Sequence, residues 1–326
     1  MRVRNFLAST AGQKGRAMRL RRMIVTAAAV TAVLATTAAV LPGAPADRAQ
    51  PLPALTAPAL AARYAADSRM VAQAARAASR SGSTALARSL DAMRGRQFLD
   101  FNPRGRGLAV EVIGNLARAS RVAILVPGSD TTLATFGSRG TASPGGGALA
   151  LAAQAHRLAP GARVAVIAWL GYATPATVSP AVMTSGDAGQ GAGALRLLVD
   201  DLARSGHQIA LLCHSYGSVV CGLAAHRLPV TDIAVFGSPG MDASSVRALH
   251  TTARVWAGRG AGDWIGYVPH IRLLGLGFGQ DPTAPAFGAR LFGCGPGGHS
   301  GYFRPGGIAL RNLAYIALGE PSRVTR

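Results

Sequence analysis

Lysine is almost missing from this chain. Lys14 is its only one, so the other basic residues, of 34 in all, are arginines. Acidic residues number 14, and charged residues make up only 15% of the sequence. So little charge excludes a chain that is disordered through self-repulsion. Aromatic residues are 6%, and no basic cluster is interleaved with them. Nucleic acid is therefore not among the expected partners. Cysteines are three: Cys213, Cys221 and Cys294. That is too few for a disulfide scaffold, and the odd number leaves at least one unpaired without naming it. There is no Cys-x-x-Cys and no zinc-ligand spacing, so no metal is expected. No cofactor is expected either. Gly189-x-Gly191-x-Gly193 lacks the preceding strand and the Lys-Ser/Thr of a phosphate loop.

What is present is apolar, at 49%, and strongly basic, at a net +20. The length suits one good-sized core or two small domains. Residues 1–46 read as an export signal. Arg19, Arg21 and Arg22 close a positive region, residues 23–41 carry no charge, and Ala44 and Ala46 fit a small-x-small cleavage site. The rival is an uncleaved membrane anchor, although the apolar run is near the lower limit for a span. Cleavage would remove seven basic residues and no acid, leaving +13 on residues 47–326. The expected location is therefore secreted or in the extracytoplasmic envelope, and a positive surface attracts envelope polymers or anionic membrane.

Residues 47–58 form a Pro- and Ala-rich linker, and Ala-Arg text to about 95 reads as two helices broken at Ser81–Ser83. Residues 47–97 are thus a linker and helical extension, and 98–326 the main domain. In that domain short apolar runs alternate with helical stretches. The runs are 108–113, 122–126, 163–168, 208–212, 232–236 and 253–257; the helices lie near 147–158, 190–205, 217–228, 243–250 and 306–318. Near-continuous apolar strands separated by helices predict a doubly wound, mostly parallel sheet covered on both faces.

Cys213-His214-Ser215-Tyr216-Gly217 falls between a strand and a helix. A serine hydroxyl attacks well only when a base takes its proton, and a sharp strand-to-helix turn exposes it for that purpose. Small residues are needed two positions either side of such a serine. Gly217 meets this, while Cys213 stands where glycine is usual. His299, in the Gly-rich loop 294–303, is the candidate base, with His270 next. His214 is expected to point away. Asp263 follows a strand at its carboxyl end and is the candidate acid, with Asp242 as fallback. The Tyr216 amide and the Ser129 amide, in the loop opened by Gly128, are candidate oxyanion donors. Trp169 and Tyr172 follow a strand and are candidate substrate contacts, or core.

"FNPRGRGLAVEVIGNLARASRVAILVPGSDTT", "IAWLGY", "LLCHSYGS", "FGSPG" and "GGHSGYF" together resemble an actinobacterial family of alpha/beta hydrolases of unknown function. The resemblance covers about 98–305. It implies the alpha/beta-hydrolase fold and a Ser-Asp-His triad, with the elbow on 213–217, the acid on Asp263 and the base on His299. That family has Asp-Pro at the acid where this chain has Asp263-Trp264. The expectation is an exported serine hydrolase cleaving a small-molecule or lipid-like acyl ester. The alternatives are an amidase or peptidase of the same fold, or a non-catalytic envelope-binding protein on that scaffold.

Overall fold

The six apolar runs become adjacent strands because each is hydrophobic on both faces and must be covered twice. A computed structural model describes residues 52–272 and 276–326. The expected export signal and most of the linker's first residues lie outside them. The strands are β1 (Gln97–Asn102), β2 (Leu108–Ile113), β3 (Arg121–Val126), β4 (Val164–Leu170), β5 (Gln208–His214), β6 (Asp232–Phe236), β7 (Arg254–Gly258) and β8 (Arg290–Leu291). They form one sheet in the order β1-β2-β4-β3-β5-β6-β7-β8. β1, β2 and β4 pair antiparallel; every pairing from β4 onward to β8 is parallel.

Helices cover both faces. The described α-helices are α1 (Ala57–Arg80), α2 (Thr84–Ala92), α3 (Leu133–Phe136), α4 (Pro144–Leu158), α5 (Gly186–Arg204), α6 (Gly217–Ala224) and α7 (Ile308–Leu318). Leu195, Val199 and Leu202 of α5 and Val219 and Val220 of α6 pack into one core. Leu151 of α4 and Leu310 and Leu313 of α7 pack into the other. Helix α1 wraps the β1 edge. Its Leu60 joins the first core, while Val71, Ala75 and Ala78 join the second. The helical extension is therefore packed onto the sheet and covers an edge strand that would otherwise be open to another chain. None of the described helices is long and apolar enough to cross a membrane.

At the amino edge, Arg254 donates two hydrogen bonds to Asp232, at 2.8 and 2.7 Å, and the Trp256 indole N–H adds a third at 2.9 Å. Asp232 is thus a structural anchor at the end of the sheet opposite Ser215.

Two sequence expectations are corrected. The stretch 243–250 forms only a three-residue 3-10 turn, Arg247–Leu249, because Asp242 and His250 adopt left-handed backbone. Helix α6 stops at Ala224, short of 228. Gly189, Gly191 and Gly193 lie inside α5, the helix expected near 190–205.

Candidate active site

The elbow is built by chain geometry before any chemistry. Ser215 sits between β5 and α6 with φ of 52°, a left-handed conformation that costs a non-glycine residue about 1–2 kcal/mol. Its amide is held by the Phe236 carbonyl at 3.1 Å. Gly217 leaves no space for a side chain: a Cβ there would lie 2.5 Å from the Val126 carbonyl oxygen. Cys213, in the other small position, is disulfide-bonded to Cys221 of α6. The bond ties the strand before the serine to the helix after it. Sequence could not select this pair, because spacing alone does not fix which cysteine stays free. Cys294 is the free one; burial pushes its thiol up to about 12, so it is inert as a nucleophile. A loop this short constrains the unfolded chain by about 2–3 kcal/mol. Reduction is expected to lower the melting temperature by about 5 °C. Thermal melts with and without reductant check it; identical melts would mean that Cys213 and Cys221 are unpaired in solution.

His299 reaches Ser215 from the loop before α7. Its Nε2 accepts from the Ser215 hydroxyl at 2.9 Å, and its Nδ1–H donates to Asp263 Oδ1 at 2.9 Å. Asp263 is 4% exposed. Its Oδ1 also accepts from the Ile265 amide at 2.9 Å, and its Oδ2 from the Tyr302 hydroxyl at 2.5 Å. Burial pushes this carboxyl upward, but the hydrogen bonds from His299, Tyr302 and Ile265 outweigh it and hold it below its ordinary value. Tyr302 is fixed in turn by the Gly260 amide at 3.2 Å. The structure thus brings Ser215, His299 and Asp263 into one hydrogen-bonded line. Neither fallback belongs to it: His270 Nε2 bonds the Ser238 carbonyl oxygen at 3.2 Å, and Asp242 pairs with Arg272 at 2.6 Å.

Gly128 lies against the serine. A Cβ on it would be 2.6 Å from Ser215 Cβ and 3.1 Å from Ser215 Oγ. Among the described residues neither the Ser129 amide nor the Tyr216 amide has a hydrogen-bond acceptor. Both are left available to an incoming oxygen. A cavity of about 800 Å³ opens over the serine. Val182, Met183, Ile265, Val268 and Phe278 supply apolar lining; Thr131, Thr135, Ser138 and Thr141 supply a polar side.

Trp169 and Tyr172 do not line this cavity and are corrected to core. Each is 2% exposed, and their rings stack on one another, with Tyr172 also stacked on Tyr216. Tyr172 instead holds the loop beneath the serine, donating to the Pro127 carbonyl at 2.9 Å. Their position after β4 suited either role, and only the closeness of α5 decides it.

His214 is the second correction. Its ring lies under His299, with centroids 4.7 Å apart, and its Nε2–H donates to the His299 carbonyl oxygen at 2.8 Å. Burial, with the His299 imidazole alongside, pushes His214 down to about 4. The unfolded chain takes up a proton there near pH 6.5 while the folded chain refuses it. Stability is therefore full above about pH 6.5 and falls toward pH 4, by about 2–3 kcal/mol from this group. Denaturant melts at pH 7 and 4.5 check the loss, which a His214→Asn variant should largely lack.

Tyr302 and Gly237 were also missed. Tyr302 sits three residues after His299, on the same loop. Gly237, with φ of 57°, leaves room for Asp263 and His299: a Cβ there would be 2.9 Å from Asp263 Oδ2 and 3.2 Å from the His299 ring. Trp264, in place of the resembling family's proline, lies with its ring centroid 4.7 Å from that of His299.

A family model described as alpha/beta hydrolase matches residues 102–273, just over half of the chain. This chain belongs to the alpha/beta hydrolase family. The matched span of this alpha/beta hydrolase holds Ser215 and Asp263, and His299 follows it. Two uncharacterized proteins of Mycobacterium tuberculosis, from strains CDC 1551 and H37Rv, are each 32% identical over 249 residues, 66% of this chain. The match covers 38% of their own length, so the hydrolase spans about two fifths of these curated relatives. Among solved structures it is similar to XC6422 of Xanthomonas campestris, described as a serine hydrolase without a lid. That similarity is at 17% identity over 69% of this chain and 94% of the other, with a TM-score of 0.41. It is also similar to esterase PE8, at 17% identity over 64% and 97%, with a TM-score of 0.43.

Proposed function

We propose that this alpha/beta hydrolase is an exported serine hydrolase that cleaves carboxylic esters through an acyl-enzyme. One observation carries the reading: the 2.9 Å contacts from Ser215 to His299 and from His299 to Asp263, on a serine held in left-handed backbone at the floor of a cavity. Ser215 Oγ attacks the acyl carbonyl carbon as His299 Nε2 takes its proton. The carbonyl π electrons move onto oxygen, and the Ser129 and Tyr216 amides hold the oxyanion. The intermediate collapses, the C–O bond to the alcohol breaks, and His299 returns the proton to the departing alcohol. A water molecule then repeats the sequence, releasing the acid and restoring Ser215. Asp263 keeps the imidazole in the tautomer with its proton on Nδ1 and stabilises the imidazolium.

An ester asks less of the acid catalyst than an amide, because an alkoxide leaves more readily than an amine anion. Initial rates on p-nitrophenyl butyrate and on the matching p-nitroanilide test the choice. Turnover of the ester alone is expected. Equal turnover of the anilide would move the reading to an amidase, and turnover of neither would contradict it. Export is supported by the charged and apolar pattern of residues 1–46 and by the Cys213–Cys221 bond, which an oxidising compartment preserves.

A further inference from the structure

Nine large hydrophobic side chains are exposed among the described residues, and six of them lie in two stretches of chain that also supply cavity lining, through Thr177, Val182 and Met183 in one and Trp264, Ile265, Val268 and Phe278 in the other. The six are Val178, Met183, Trp264, Tyr267, Ile271 and Leu276. The segments are joined: the Gly277 amide donates to the Met183 carbonyl at 3.0 Å. Val178 is 92% and Tyr267 91% exposed, values at which a soluble protein gains nothing from an apolar side chain. The apolar rim continues inward along one side, since Met183, Trp264, Val268 and Phe278 also line the cavity above Ser215, while Thr177, hydrogen-bonded to Asp130, is the polar ground beside Val178. Residues 176–184, 264–272 and 276–278 contain no aspartate or glutamate, and residues 47–326 carry a net +13.

We propose that this rim docks on an anionic lipid surface and passes an aliphatic acyl chain from it along the apolar wall to Ser215. The second half rests on the serine hydrolase reading; the docking does not. Apolar side chains that project from a cationic body enter the boundary between head groups and acyl chains, and anionic head groups add attraction. The mouth then faces the lipid, and a substrate reaches the serine without crossing water. A second copy of the chain is a weaker fit to the rim, because two bodies of the same high charge would meet across it.

Trp264 makes the test specific. The chain has three tryptophans, and Trp169 and Trp256 are buried while Trp264 is 48% exposed on the rim. The full chain is mixed with vesicles of phosphatidylcholine and brominated phosphatidylglycerol, and tryptophan quenching is followed. Quenching is expected, and a Val178→Asp/Tyr267→Asp variant should need roughly ten-fold more lipid for the same effect. Both proteins should hydrolyse p-nitrophenyl acetate equally, since neither residue lines the cavity. Sedimentation with vesicles but no quenching would overturn the proposal, because another surface would then be making the contact. Equal quenching of parent and variant would overturn it too, as would self-association through the rim without lipid. Absence of p-nitrophenyl acetate hydrolysis alongside quenching would remove the acyl-transfer half and the catalytic reading, leaving the docking intact.

Discussion

Ser215→Ala is expected to lower ester turnover on the order of 10⁴-fold or more while the protein stays folded. The hydroxyl oxygen is the only heavy atom the substitution removes. It makes one hydrogen bond, to His299 Nε2, and carries no load in the core. The cost to stability is therefore about 1 kcal/mol at most. The cost to catalysis is large because the residues of such a relay act as a unit, and without the nucleophile the base and acid have nothing to activate. On the proposed reading the Ser129 and Tyr216 amides remain and keep a residue of activity above the water rate. Rates on p-nitrophenyl butyrate, with a thermal melt of each protein, check both parts. A variant that kept a tenth of the parent rate would place the nucleophile elsewhere.

The second large effect belongs to Asp263→Asn. The carboxylate accepts from three donors: the His299 ring, the Tyr302 hydroxyl and the Ile265 amide. An amide carries one oxygen and one NH2 group, so with its nitrogen at the Oδ1 position it meets the His299 ring and the Ile265 amide donor against donor, and with its oxygen there it still loses the carboxylate charge. If the amide nitrogen faces His299, the imidazole moves its proton to Nε2 and can no longer take one from Ser215. A fall in kcat of about 10³–10⁴ with KM little changed is expected, since the substitution removes a property of the base rather than a substrate contact. Steady-state kinetics check it. A raised KM at unchanged kcat would mean that Asp263 shapes the cavity instead of orienting His299.

Much of this was legible in the sequence because burial writes itself plainly into parallel strands. β2 through β7 are apolar runs, and they appear within about two residues of where those runs lie. β1 was not legible. It carries Gln97, Asp100 and Asn102 in six residues and a register shift between Phe98 and Asp100, so neither alternation nor a continuous run marks it. β8 is two residues long and exists only by pairing with β7. Helix α6 is shorter than its Ala-rich text suggests because Arg227 turns left-handed, with φ of 53°, two residues before Pro229. Gly222 packs so tightly on the Met241 carbonyl that a Cβ would fall 1.9 Å from its oxygen, a constraint made by the fold alone.

At the site, chain order, sheet edge and the family resemblance pointed to Ser215, Asp263 and His299, which the structure holds within hydrogen-bond distance, because residues after parallel strands gather at one end of the sheet. What order could not supply was the layer around them. Trp169 and Tyr172 sit at the same edge and point into the core. His214 sits beside the serine and turns beneath His299. Tyr302 supports Asp263 from across the loop. Each depends on which way a side chain turns once its neighbours are packed, and no spacing in the sequence encodes that.

The central claim is that Ser215 is an activated nucleophile. A fluorophosphonate probe, which reacts with a serine only when a base takes its proton, tests it most directly. The full chain is labelled alongside Ser215→Ala and the adduct is mapped by peptide analysis. The expected result is one adduct, on Ser215, absent from the variant. Folded protein that takes no label, or label that maps to another serine, would contradict it.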